Sequence, residues 1–316
     1  TKKGKGGQFH IAYDGTIGFE SIYKNMEMLN ADEFRRAAQQ MGVSIMDLGF
    51  DTNFPKEITR TGFVQNHHIA FGGGNETANY RASVGVMEHQ TVMKTNNYRN
   101  YIVKLDLIQM AFDKRLKVDL GVFGSLQRNN LLPFPQQLMY SAAAYNPTFP
   151  AGRDKNGKYP SVTEASWITN PIALLDMDND EDNGHFNVHL KLTADLGYGL
   201  TLTAFGSYSY KTMNLAHYYP TYVWSHVEAY RSDMKSDELL NNISLSWSHK
   251  AGPSDINLLA LAEGQREIRK GFYTTASGFS HDAFGYHNLA AGAVRKWEGT
   301  GSYYQKSHME SMLLRG

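Results

Sequence analysis

The chain has no cysteine among its 316 residues. Disulfides, Cys-ligated zinc and thiol catalysis are therefore excluded. It has no surplus of charge either: 31 Lys and Arg face 31 Asp and Glu, so charge points to neither nucleic acid nor an acidic partner. No run approaches the roughly 18 apolar residues that a membrane helix needs, which excludes a helical membrane protein. There is no H-E-x-x-H, no G-x-S-x-G and no P-loop in the sequence, so no enzymatic activity is expected. Thr1 opens the chain without an initiator Met or signal peptide, so the sequence reads as a processed or truncated piece.

A β-barrel survives these exclusions, because its lipid face uses only every second residue. The segment Phe186–Leu196 shows that pattern. Phe186, Val188, Leu190, Leu192, Ala194 and Leu196 alternate with Asn187, His189, Lys191, Thr193 and Asp195. A strand turns its side chains over at every residue, so one face is wholly apolar and the other wholly polar. Comparable strands are expected at 9–19, 67–71, 79–86, 101–109, 116–127, 200–211, 239–250, 256–265 and 300–314. With 186–196 this makes about ten, several longer than the usual ~5–6 residues and near the ~9–11 of a tilted membrane strand. One short helix is expected at Ala31–Met41, opened by the capping-box pair Asn30 and Glu33.

The connections alternate in length. Short ones fall at 72–78, 110–115, 197–199 and 251–255; long ones fall at 21–65, 129–185, 212–238 and 268–299, with 88–96 the exception. Tight turns on one rim and long loops on the other is the outer-membrane arrangement, with the tight side periplasmic. The predicted fold class is all-β: an antiparallel transmembrane barrel segment with long outer loops.

The candidate binding residues are aromatic. Tyr140, Tyr145 and Trp167 fall in one long loop, and Tyr218, Tyr219, Tyr222 and Trp224 in another. Tyr and Trp combine a stacking face with a polar tip, which suits sugar rings and peptide side chains; the other reading is packing of the loops against each other. Tyr208, Tyr210 and Trp247 lie on apolar strand faces and read as girdle residues. The acids Asp176, Asp178, Asp180 and Asp182 resemble a calcium loop, but Asn187 stands where an EF-hand has its closing Glu. A solvated loop is the simpler reading, and no other metal or cofactor is expected. His67 and His68 are adjacent, so on a strand they point to opposite faces and cannot chelate one ion.

Several segments together resemble one family. Residues 1–7 (T-K-K-G-K-G-G) look like the passage from plug domain to first barrel strand in SusC/RagA-type TonB-dependent transporters. Asn30-Ala31-Asp32-Glu33-Phe34 resembles their early helix, and Ile58–Gly62 with Gln65–His68 their approach to the second strand. Phe71–Ser83, with its glycine turn and N-Y-R-A-S strand, is the most specific match, and 255–290 is similar to a strand with its outer loop.

The resemblance implies part of a barrel of about twenty-two strands, a size class whose lumen is plugged. It implies residues 1–316 as partial barrel domain, with 1–7 as the end of the plug connection. It further implies a plug carrying a TonB box, a SusD-like surface lipoprotein, and TonB-driven import of oligosaccharides or peptides across the outer membrane of Bacteroidetes-type bacteria. The sequence as it stands holds neither the plug nor the second half of such a barrel. Two other readings stay open: a passive porin or adhesin barrel, and a soluble carbohydrate-binding β-sandwich.

Overall fold

The computed structural model describes residues 7–24, 26–160, 168–223, 227–295 and 297–316. One antiparallel sheet dominates it. The strands are β1 (Gly7–Glu20), β2 (Gly62–Gly74), β3 (Ala78–Gln90), β4 (Asn97–Ala111), β5 (Leu116–Asn130), β6 (Asp178–Gly197), β7 (Leu200–Tyr219), β8 (Glu228–Ala251), β9 (Ser254–Ser277), β10 (Val294–Arg295) and β11 (Gly301–Arg315). Each strand from β1 to β9 pairs with the next in sequence. The two-residue β10 pairs with the upper end of β9, and β11 pairs with β9 from Tyr273 down to Leu259. The sheet is open, with β1 at one edge and β11 at the other. About ten full-length strands and alternating connections match the expectation.

The tight turns have a local cause. Between β2 and β3, the Asn75 side chain accepts hydrogen bonds from the backbone N–H groups of Thr77 and Ala78, each at 2.8 Å, an Asx turn that reverses the chain. Between β8 and β9, Gly252 takes φ +60° at the first turn position, where a two-residue hairpin favours glycine. Phe112 and Tyr198 protrude from two of these turns and are largely exposed. Aromatic rings there suit a membrane–water interface.

The helix α1 (Ala31–Met41) forms as expected. Asn30 Oδ1 accepts from the Glu33 N–H at 2.9 Å, and Glu33 Oε2 accepts from the Asn30 N–H at 3.0 Å. Gly42 at φ +67° ends it in the left-handed region. The expectation of one helix needs correction, because three more are present: α2 (Phe54–Glu57), α3 (Pro135–Ala144) and α4 (Pro171–Leu175). Each carries Pro at its first or second position, and α2 and α4 are capped by Asn53 and Asn170. These are start signals, but the helices are too short to show a 3.6-residue period.

Strands β6 to β9 also run further than expected. β6 begins at Asp178 rather than Phe186, and β7 continues to Tyr219 rather than Lys211. β8 starts at Glu228 and β9 ends at Ser277. Much of what read as the loops 129–185, 212–238 and 268–299 is therefore wall. The reason is solvent. Beyond the apolar segment neither face is consistently apolar, so alternation vanishes while backbone pairing continues.

Two hydrophobic clusters sit at the loop end. The larger gathers Phe54 and Ile58 from α2, Leu138 and Ala142 from α3, Leu174 from α4, and Tyr145 with Phe149 between them. The smaller joins Tyr218, Ala229, Ala276 and Phe279. Elsewhere the sheet has large side chains exposed on one face, including Phe9, Ile11, Tyr13, Ile17 and Phe19 of β1.

Candidate functional site

Paired residues in an antiparallel ladder share a face, so the register assigns every strand residue to a side. Ile69, Val84 and Val103 stand on one face of β2 to β4. Leu105, Val122, Val188 and Tyr208 continue it through β7, and Leu245 and Ala260 carry it into β9. This apolar belt crosses the whole sheet on the tight-turn side. On the same face above it stand Arg128, Asp182, Asn214 and Asp233. Tyr208, Tyr210 and Trp247 lie on the belt face, as their alternation predicts.

The other face is mixed, with polar side chains interspersed among apolar ones such as Phe123, Phe205 and Leu240. Asn187, His189, Lys191 and Thr193 project there, opposite Phe123, Gly121, Asp119 and Lys117. Lys104 Nζ lies 2.9 Å from the buried Asp106 carboxylate. The His189 ring covers Gly121 so closely that a Cβ there would meet it at 2.1 Å. Glycine at 121 is what lets the imidazole lie flat on the wall.

At the loop end the two faces carry different groups. On the polar face Tyr219, His217 and Tyr230 stack with centroids 4.6 and 4.9 Å apart. Burial lowers the His217 pKa, and Glu228, 3.5 Å from Nε2, opposes that shift. Tyr219 also meets Phe134 just before α3, with centroids at 5.4 Å, and packs on the larger cluster. Burial pushes its hydroxyl up to about 12.

Tyr145 lies inside that cluster, edge-on to Phe54 at 4.9 Å and to Phe149 at 5.7 Å. Its hydroxyl donates to the Pro160 carbonyl and accepts from Asn170 Nδ2. Tyr140 is 49% exposed on α3. Beside the cluster a cavity of about 320 Å³ is lined by Met28, Leu29, Phe34, Phe54, Pro55 and Tyr145.

Tyr222 belongs to a third group. The Arg153 guanidinium sits 4.0 Å over its ring and 5.1 Å over that of Tyr159. Asp176 accepts from Arg153 and, at 2.8 Å, from the Tyr159 hydroxyl. Hydrogen bonds to Tyr159 and Asp176 hold Arg153 above its ordinary value. Burial pushes the Tyr222 hydroxyl up to about 12. This partly open assembly can stack on a flat ligand and hydrogen-bond its edge. Arg153 and Tyr159 were not singled out from the sequence, where they fall within the long connection 129–185.

Tyr218 is turned the other way. It pairs with Ala229 on the belt face, and its ring is 2% exposed beneath Phe279. Its hydroxyl donates to Asp282 Oδ1 at 2.8 Å. Thr221 also donates to Asp282 through its backbone and hydroxyl. Burial acts to raise the Asp282 carboxyl, but these hydrogen bonds outweigh it and hold it below its usual range. The structure thus separates Tyr218 from its sequence neighbour Tyr219. Trp167 and Trp224 lie outside the described residues.

The acidic cluster is not a loop, and that expectation is corrected. Asp176 follows α4, while Asp178, Asp180 and Asp182 stand on the belt face of β6 and Glu181 on the opposite face. Successive acids on one strand face stand ~6.6 Å apart along it, which spreads them rather than wrapping them round an ion. Asp180 takes hydrogen bonds from Asn130 and Tyr286, and Arg128 approaches Asp182 at 3.9 Å. Burial raises the Asp178 pKa. Among the described residues no group of three His, Asp or Glu could hold a metal ion.

No family model matches the chain. The TonB-dependent receptor SusC of Bacteroides thetaiotaomicron is 25% identical over 314 residues, which span 86% of this chain and 30% of that protein. The TonB-dependent receptor P3 of Formosa agariphila is 22% identical over 328 residues, spanning 100% of this chain and 32% of that one. Among solved structures, the RagAB peptide importer in its open-open state superposes with TM-score 0.75 at 15% identity, over 99% of this chain and 40% of that one. Its closed-closed state gives 0.74 at 16% identity. This chain therefore spans about a third of the curated relatives it matches.

An open sheet of about ten antiparallel strands thus matches part of the barrel of the RagAB importer in fold, and the sequence is similar to TonB-dependent receptors, a class of outer-membrane β-barrels. Within that class the similarity is to the SusC/RagA type and spans part of the barrel.

Proposed function

We propose that this chain forms part of the wall and several outer loops of a TonB-dependent active importer of oligosaccharides or peptides, in the outer membrane of a Bacteroidetes-type bacterium. The observation that carries this reading is the apolar belt, which runs from β1 to β11 on one face and is backed by a mixed face with Lys104, Asp106, His189 and Lys191. A soluble sandwich would bury that face against a second sheet, yet Ile11, Val103, Leu190 and Ile243 are exposed. A peptide importer among the structural matches supports transport over adhesion. Residues 1–316 act as one stretch of barrel domain, and 1–7 end the connection from a plug.

The polar row of His189, Lys191 and Thr193 faces the lumen and plug. The binding loops present Tyr140, Tyr222 and the Arg153 assembly, with Tyr219 at the lumenal rim; Tyr145 and Tyr218 support loops from within. Trp167 and Trp224 belong to the same candidate set. A SusD-like lipoprotein closes over these loops, and energy arrives from TonB through the plug.

The test is uptake. Deleting the full gene abolishes growth on the cognate nutrient, and deleting TonB does the same. Undiminished uptake without TonB overturns the importer reading in favour of a passive porin.

A further inference from the structure

We infer that the outer face of β8, β9 and β11, just above the apolar belt, is a binding site for the phosphate headgroup of a membrane lipid. The inference rests on the wall reading above and adds a ligand to its lipid side. Lys235 on β8 and Lys270 on β9 are direct cross-strand partners. Like charges directly opposite one another destabilise a sheet; Asp233 offsets Lys235, and an anion at Lys270 would offset the other. Lys306 on β11 pairs with Ile268, which places it diagonal to Lys270 on the same face. Arg266 stands one step lower, opposite Leu239 and His308.

The acids facing this patch are few. Asp233 approaches Lys235 at 3.4 Å, and Asp237 approaches Arg266 at 4.0 Å. Glu310 stands lower on β11, 3.4 Å from His308. Among the described residues neither Lys270 nor Lys306 forms an ion pair, and both are exposed. Lys270 and Lys306 thus stand diagonal to each other, each without an acidic partner among the described residues.

Their height is what selects a lipid. Directly below Arg266 the belt face reads Gly264, Ala262, Ala260 and Leu258 on β9, and Met312 and Leu314 on β11. Level with the lysines or just above, Tyr304 and Phe272 are 63% and 51% exposed on the same face. Exposed rings mixed with Lys and Arg at the edge of an apolar belt mark the headgroup layer. A phosphate-bearing lipid packed against the belt brings its charge to that level. A free anion would gain nothing from the belt.

The experiment uses the full receptor in nanodiscs of phosphatidylcholine doped with phosphatidylglycerol, with the lipids retained on extraction counted by native mass spectrometry. The wild type is expected to retain phosphatidylglycerol in preference to phosphatidylcholine. Each removed cation should weaken that preference about fivefold at low salt, so K270Q/K306Q should weaken it roughly 25-fold. K191Q, on the lumenal face, should leave it unchanged. Equal retention of the two lipids by the wild type, or an unchanged preference in K270Q/K306Q, overturns the proposal. Displacement of the lipid by millimolar inorganic phosphate overturns it too, because the site would then serve a free anion. A separate readout guards the wall reading: Ile243→Arg in the belt must impair insertion. Normal insertion of that variant sinks the wall reading itself, whereas belt-dependent insertion without lipid preference sinks the headgroup site alone.

Discussion

The lower and upper halves of β6 to β9 share a backbone ladder but not a code. In the lower halves, residues on one face are Leu192, Leu190, Val188, Ala204, Ile243 and Leu245. In the upper halves the same face carries Asp182, Asn214, Asp233 and Lys235. Pairing is unbroken across the change. Alternation is thus a record of solvent rather than of strand structure: it appears where one face meets lipid and fades where both meet water. The exception at the top is Tyr218, which is apolar and buried because the segment after β9 folds down over it.

That comparison can be broken at several points. The largest effect is expected at Tyr218→Ala. Truncating a buried aromatic costs about 3–5 kcal/mol, and here the loss should fall on local opening of 279–292, read by hydrogen exchange. Unchanged exchange there would mean the cover does not depend on the ring. Next comes Leu190→Arg, expected to cost about 2–4 kcal/mol in folding into vesicles if it lies near the midplane, with Val188→Arg alike. Asn214→Arg, on the same face but above the belt and opposite Asp182 and Asp233, should stay within about 0.5 kcal/mol. Equal costs would erase the boundary between the halves.

A pH titration sharpens the upper half. Asp282 is held below its usual range in the folded state, so its contribution is present above the unfolded pKa and lost as pH falls through the folded one. Asp178 is raised by burial, so it favours the fold at low pH and opposes it as pH rises past the unfolded value and through the folded one. Asp178→Asn should therefore protect 279–292 at neutral pH, and Asp282→Asn should expose it; the opposite ranking in exchange rates would refute the assignment. The smallest effect is expected at Lys191→Ala on the lumenal face, within about 0.5 kcal/mol, measured in the same vesicle assay.

These halves also explain what could be read from residues alone. The segment 186–196 declared itself because lipid imposes one side of every pair. Residues 178–185 carry D-N-D-E-D-N-G-H, which in water has no reason to alternate, so their strand was hidden and their acids resembled an ion-binding loop. Helix α1 was legible through Asn30 and Glu33, a contact of three residues. Helices α2, α3 and α4 depend on one another through Phe54, Leu138 and Leu174, contacts that separate widely in sequence. The assembly of Arg153, Tyr159, Asp176 and Tyr222 was invisible for the same reason. Tyr218 and Tyr219 looked equivalent as loop aromatics, and only the strand beneath them sends one to each side of the wall.

The 24 residues of β8 at ~3.4 Å each, tilted by ~40°, raise this part of the wall to roughly 60 Å. The hydrocarbon core of a bilayer is only ~30 Å thick. About half of β8, with its partners β7 and β9, therefore stands beyond the hydrocarbon core. The height of this part is set by a hydrogen-bonded ladder, a length that changes in bilayer thickness do not alter.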